Sequence, residues 1–312
     1  MTVVLTTVGI GLLFLGILFL LYDVIFSSNR KYMGDDHSLP HGKLYDSYHG
    51  TITKCVEDVL KVPYEQVRVL SHDGLVLTGK YYHLNDGAPL ILFFHGYRCS
   101  AIRDGNGVFL YTRKLGFNVF LADQRAHGKS QGKTITFGIM ERYDVRSWVN
   151  YFTKRFGENQ KIYLSGLSMG GATVLMASNI GLSENVLGIL ADCPYASPKA
   201  ILCSVMKQMG FPEKPSYVLA KLSARLIGKF NLEETSAIEA IRESQIPTII
   251  LHGSSDDFVP CSMSMDCLIA GEEHVQLVLI KGAAHGMSHC VDTPSYEAAV
   301  LEFFKRTGGL AG

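Results

Sequence analysis

The sequence has no excess of charge of either sign: 29 Lys and Arg balance 29 Asp and Glu. Nothing global therefore favours nucleic acid or a strongly charged substrate as a partner. No internal repeat and no low-complexity tract is visible, so no repeat architecture is expected. The seven cysteines (Cys55, Cys99, Cys193, Cys203, Cys261, Cys267 and Cys290) lack any repeated Cys-x-x-Cys spacing. Such an odd, unpatterned set reads as free thiols in a reducing compartment rather than as a disulfide framework. Charged residues are only 19% and apolar residues 47% of the chain, which excludes a disordered protein and supplies a sizeable core. Its 312 residues hold one domain of about 250 residues plus an appendage, or two ordinary domains.

Charge is missing altogether from Met1 to Tyr22, and Val3–Leu21 is nearly continuous apolar sequence. Roughly 20 such residues at about 1.5 Å each span a bilayer core of about 30 Å. A cleaved signal peptide would want a basic start and a small-x-small cleavage site, and Phe26-Ser27-Ser28-Asn29 is a poor one. A buried helix of a soluble protein would not be apolar all the way round. Residues 1–26 are therefore expected to be a membrane anchor. Arg30, Lys31 and Lys43 follow the span, so the positive-inside tendency places the bulk of the chain in the cytoplasm.

Residues 27–56 are polar and turn-rich and read as a linker. Gln66–Leu70 and Leu75–His83 flank an Asp73-Gly74 turn and predict a β-hairpin. Short apolar runs follow at Leu90–Phe94, Val119–Ala122, Ile162–Ser165, Val186–Ala191, Thr248–Leu251 and Val275–Ile280. Helix-length segments at Ala101–Leu115, Ile139–Phe156, Met169–Asn179, Met263–Ala270 and Tyr296–Phe304 separate or follow them. This alternation predicts an α/β domain over about residues 57–308, with a mostly parallel sheet covered by helices on both faces. Ligands of such sheets sit beyond the carboxyl ends of the strands.

Beyond Ile162–Ser165 stands Gly166-Leu167-Ser168-Met169-Gly170-Gly171, a G-x-S-x-G pattern between a strand and a helix. A sharp turn there pushes the Ser168 hydroxyl into the cleft, and glycines are needed where side chains would meet neighbouring backbone. A serine needs a base, itself oriented by a carboxylate. The run Thr248–Leu251 leads into Asp256 and Asp257, and Val275–Ile280 leads into His285, giving the chain order serine, acid, histidine. Asp256 is the expected acid and Asp257 its competitor. The oxyanion needs two backbone N–H groups, assigned to Met169 and to Tyr97 in the loop after Leu90–Phe94. Arg98 and Tyr195 are candidate pocket residues. His285-x-x-x-His289 followed by Cys290 has metal-ligand spacing, but Gly282 and Gly286 argue against a helix there and His285 already has a role. Neither a metal nor a cofactor is expected.

Taken together, His95-Gly96, Asp123-Gln124-Arg125-Ala126-His127-Gly128-Lys129-Ser130, Gly166–Gly171, Asp256-x-x-Val259-Pro260 and His285-Gly286 resemble the α/β-hydrolase superfamily. They resemble in particular its membrane-anchored bacterial members near the esterase and prolyl-oligopeptidase-like branches. The resemblance covers about residues 60–308 and implies an eight-stranded sheet, a Ser–His–acid triad and acyl-transfer chemistry. It also implies structural roles for Asp123, Arg125 and Gly128.

Between Ala191 and Thr248 lie about 55 residues, too many for an ordinary connection, so a small helical cap is expected over residues 193–246. Ile201, Leu202, Val205, Met206 and Met209 recur at helical spacing, as do Val218, Leu219, Leu222, Leu226 and Ile227. Lys199, Lys207, Lys214, Lys221, Arg225 and Lys229 face only Glu213 over this stretch. The favoured reading packs these stripes on the core with the lysines solvated; a basic cap resting on an anionic membrane is the alternative. The leading function is hydrolysis of carboxylic esters, with a small-molecule or lipid-like acyl substrate. A peptidase or aminopeptidase, a thioesterase or acyltransferase, and a non-catalytic binding protein of the same fold are the rivals.

Overall fold

A computed structural model describes residues 2–28, 36, 38–39 and 41–310. The expected linker positions Arg30 and Lys31 lie outside them. Helix α1, Thr2–Ile25, opens the chain. Its Leu5–Ile25 stretch, mean hydropathy 2.5, is long and apolar enough to cross a membrane, and only 6% of it is buried. The helix is not a free appendage. Phe26, directly after it, is fully buried between the rings of Phe137 and Phe230, and Ser27 bridges to Thr134.

The segment expected to be a linker carries structure of its own. Helix α2, His49–Leu60, buries Ile52, Val56 and Val59, whose spacing puts them on one face. The hairpin β1, Glu65–Leu70, and β2, Val76–Tyr82, then enters the sheet. From β3, Leu90–Phe94, the pattern alternates: α3 (Ala101–Lys114), β4 (Asn118–Asp123), α4 (Glu141–Phe156), β5 (Ile162–Leu167), α5 (Met169–Met176) and β6 (Val186–Asp192). An insertion follows with α6 (Pro198–Gln208), α7 (Glu213–Ser223) and α8 (Ala237–Glu243). The fold closes with β7 (Thr248–Gly253), α9 (Ser262–Ala270), β8 (Val275–Ile280), α10 (Ser288–Val291) and α11 (Thr293–Arg306).

The eight strands form one sheet in the order β1-β2-β4-β3-β5-β6-β7-β8, parallel from β4 onward and antiparallel through the hairpin. β3 and β4 are buried at every position, because helices cover both faces. Alternation along β4 shows the two layers. Phe120 packs with Trp148 and Phe152 of α4, whereas Val119 and Leu121 join Phe117, Phe303 and Phe304 on the other face. Local signals set the helix starts. Ser100 accepts from Arg103 N–H before α3, and Ser197 accepts from Ala200 N–H before Pro198 opens α6.

Candidate active site

The turn from β5 into α5 presents Ser168. Its φ of +56° is a left-handed value that costs a non-glycine residue on the order of 1–3 kcal/mol. Packing enforces it. A Cβ on Gly170 would lie 1.9 Å from the Phe94 carbonyl oxygen, and one on Gly166 would lie 2.3 Å from the Gly170 carbonyl. Both glycines let β5, β3 and α5 meet more closely than side chains permit.

The loops after β7 and β8 bring two partners to this turn. His285 Nε2 lies 2.9 Å from Ser168 Oγ, and His285 Nδ1 lies 2.7 Å from Asp256 Oδ2. The second oxygen of Asp256 accepts from the Phe258 and Val259 N–H groups at 3.0 and 2.8 Å. Burial would raise the Asp256 pKa, but hydrogen bonds from His252 and His285 and from Val259 N–H outweigh it and hold the carboxyl down at about 2. Asp257 is exposed at the cavity rim. Of the two acidic candidates, then, Asp256 is the one turned to His285. Phe258 sets its ring, tilted by 58°, 5.0 Å from that of His285.

The two N–H groups expected to serve an oxyanion, those of Tyr97 and Met169, lie in the loop after β3 and at the start of α5. Among the described residues, no group accepts from the backbone N–H of Tyr97 or of Met169. The Gly96 N–H, by contrast, donates to Asp104 Oδ2 at 2.7 Å. The loop itself is held from outside. Tyr97 Oη donates to Ile25 O at 2.8 Å, and Arg98 Nη2 donates to Val24 O and Ser27 O at 2.9 and 3.0 Å. Arg98, at φ +53°, also donates its N–H to His127 Nε2.

A cavity of about 520 Å³ opens beside Ser168 and His285. Its walls come from α3, from the loops at the strand ends and from Ser38, Leu39 and Tyr45, which belong to the expected linker. Burial, with Asp256 and Asp257 nearby, pushes the Tyr45 phenol up to about 12. Arg98 and Tyr195, expected as pocket residues, are not among the wall residues. Arg98 spends its guanidinium on the end of α1, and Tyr195 is buried in the core cluster under the insertion.

Three residues of the site went unread in the sequence. His252, fully buried, places Nε2 3.2 Å from Asp256 Oδ2 and 2.9 Å from Val259 O, so it supports the acid loop from beneath. Its signal was its place at the end of an apolar run. Asp192 ends β6 the same way; its carbonyl accepts from Ser168 N–H at 2.8 Å. Burial pushes the Asp192 carboxyl up to about 6 even with Ser288 Oγ donating to it at 3.2 Å. Asp104, which takes the Gly96 N–H, had no signal beyond lying in the first turn of α3. Cys193, Asp256 and His285 lie close enough to share an ion. Burial raises the Cys193 thiol well above its ordinary value, which disfavours the thiolate a metal would need. His289 belongs to none of the ligand clusters among the described residues and packs edge-on to Tyr296.

Known proteins are similar to this chain across the site. A family model described as serine aminopeptidase, S33, matches residues 87–209, which include Ser168 and stop short of Asp256 and His285. The chain is 26% identical over 227 residues to YqkD of Bacillus subtilis, covering 72% of this chain and 74% of that one. The Pyrococcus furiosus esterase Pf2001 superposes with a TM-score of 0.65 at 23% identity, over 80% of this chain and 93% of its own. This is an α/β-hydrolase fold. Est1E of Butyrivibrio proteoclasticus, solved with ferulic acid, has the α/β-hydrolase fold in common with it at a TM-score of 0.62 and 20% identity, over 78% of this chain and all of its own. As in α/β-hydrolase sheets generally, Tyr97, Ser168, Asp256 and His285 stand just past the carboxyl ends of β3, β5, β7 and β8.

Proposed function

We propose that the chain is a serine hydrolase that cleaves carboxylic esters through an acyl-enzyme on Ser168, held at a membrane by α1 with its catalytic domain on the cytoplasmic side. His285 takes the Ser168 proton as Oγ attacks the ester carbonyl, and Asp256 keeps the imidazole in the tautomer that can accept it. The N–H groups of Tyr97 and Met169 receive the negative charge that forms on the carbonyl oxygen. His285 returns the proton to the departing alcohol, and water repeats the sequence on the acyl-enzyme.

The observation that carries this reading is the relay itself: 2.9 Å from hydroxyl to imidazole and 2.7 Å from imidazole to a buried carboxylate. Esters are favoured over amides by the occupancy of the deep acidic groups. An aminopeptidase needs a free carboxylate for the substrate ammonium. Asp104 is already taken by Gly96 N–H and by Arg103 at 3.0 Å, and Asp192 by Ser288. Asp257 at the cavity rim keeps an amide-cleaving reading in play, in line with the family model's description. Parallel assays on p-nitrophenyl esters of increasing chain length and on aminoacyl-p-nitroanilides separate the two. Higher kcat/KM on the esters is expected; faster cleavage of the anilides would replace the esterase reading with a peptidase one.

A further inference from the structure

Helix α1 runs alongside the insertion, and their contacts advance in the same direction. Ser223 Oγ donates to Leu18 O at 2.7 Å, a Cβ on Gly228 would stand 3.4 Å from the Tyr22 ring, and Phe230 packs against Phe26 with ring centroids 5.4 Å apart. Ala220, Ser223 and Ala224 are fully buried, and such small residues allow two helices to come close. Following α7 backwards from Ser223 to Glu213 therefore leads about 15 Å toward the N-terminal end of α1. The turn between α6 and α7, Met209–Pro212, is what lies there. A bilayer crossed by α1 must then meet this hairpin tip.

The tip is built for that position. Met209 and Phe211 are 66% and 54% exposed, and Val218 and Leu226 follow at 54% and 47% on the elements that flank α1. Met209 and Phe211 stand two residues apart at the tip, and the long side chains of Lys207, paired with Glu213 at 3.8 Å, and of Lys214 beside them can extend to headgroups. The other side of the hairpin reaches the chemistry. Gln208, the last residue of α6, donates to Asp257 O and Phe258 O at 2.7 and 3.2 Å, and both of those residues line the cavity at Ser168.

We propose that the α6–α7 hairpin dips into the bilayer crossed by α1, so that the cleft opens at the lipid surface and takes amphiphilic acyl esters resident in the membrane. This rests on the ester-hydrolase reading and on α1 as a span. The test reconstitutes full-length Phe211→Trp and Phe156→Trp variants in phospholipid nanodiscs containing brominated acyl chains. Phe156 is exposed at the C-terminal end of α4, its ring 5.5 Å from that of Tyr81 in β2, and the native Trp148 is buried and constant in both. Phe211→Trp is expected to be quenched about twofold or more by the brominated lipid and to emit at shorter wavelength, with Phe156→Trp unaffected. Equal quenching of the two variants, or a chain that does not enter nanodiscs, would overturn the proposal. Fluorophosphonate labelling of the same samples reports on folding and on the serine chemistry separately, so a failed esterase reading is not mistaken for a failed docking.

Discussion

At Asp256, burial and hydrogen bonding act against each other. Its side chain is wholly buried, which favours the neutral acid, yet His252, His285 and the acid-loop N–H groups hold it ionised down to about pH 2. Because the folded value lies below the unfolded one of about 3.9, the carboxylate contributes stability that is fully present above about pH 4 and is lost as pH falls toward 2. Asp256→Asn is therefore expected to unfold at lower urea than the wild type at neutral pH, with the gap closing on acidification. A gap that persists at about pH 2 would show that the carboxylate is not the source. The same change should lower kcat by on the order of 10⁴-fold, since Asn stabilises the wrong imidazole tautomer. Sequence alone favoured Asp256 as the acid but left Asp257 as its competitor. The two share one loop, and the choice depends on which carboxyl turns toward a histidine 29 residues away.

Between elements, hydrogen bonds join the end of α1 to the loop carrying Tyr97, whose N–H the proposed mechanism uses. Arg98 places a cation on the Val24 carbonyl in the last turn of α1 and on the Ser27 carbonyl just beyond it, where the helix dipole favours it, a contribution of about 0.3–2 kcal/mol. Arg98→Ala is expected to loosen the loop that holds the Tyr97 N–H. Steady-state kinetics on a soluble ester should show kcat falling about tenfold with KM nearly unchanged, the pattern of a contact felt in the transition state. A rise in KM alone would return Arg98 to the substrate pocket. Strands and helices of the α/β domain were legible because burial on both faces writes each inner strand as an apolar run, and Leu90–Phe94 matches its run end to end. The Arg98 clamp was not, because its acceptors are backbone carbonyls more than 70 residues away, and carbonyls leave no trace in residue type. For the same reason α2 passed as linker: its three buried side chains are too few to stand out before their docking partner is known.

For the whole molecule, one buried ion pair ties distant pieces together. Arg125, after β4, reaches Asp144 of α4 at 2.6 Å and Asp73 of the β1–β2 turn at 3.0 Å. Removing the cation leaves Asp144 buried without a partner, so Arg125→Ala should cost about 3–5 kcal/mol and lower the thermal midpoint by roughly 10 °C, read by calorimetry. A loss below about 1 kcal/mol would mean that the pair is structurally idle. The Asp123–Ser130 run announced this role only through its resemblance to a family, since nothing in its own spacing shows which acids Arg125 finds. All of this organisation converges on one hydroxyl, and a fluorophosphonate probe reads it directly. The wild-type chain is expected to be labelled covalently and stoichiometrically, with the adduct on Ser168 by peptide mass and no labelling of Ser168→Ala. Absence of labelling on folded wild type, or undiminished labelling of Ser168→Ala, would contradict a serine hydrolase working through Ser168.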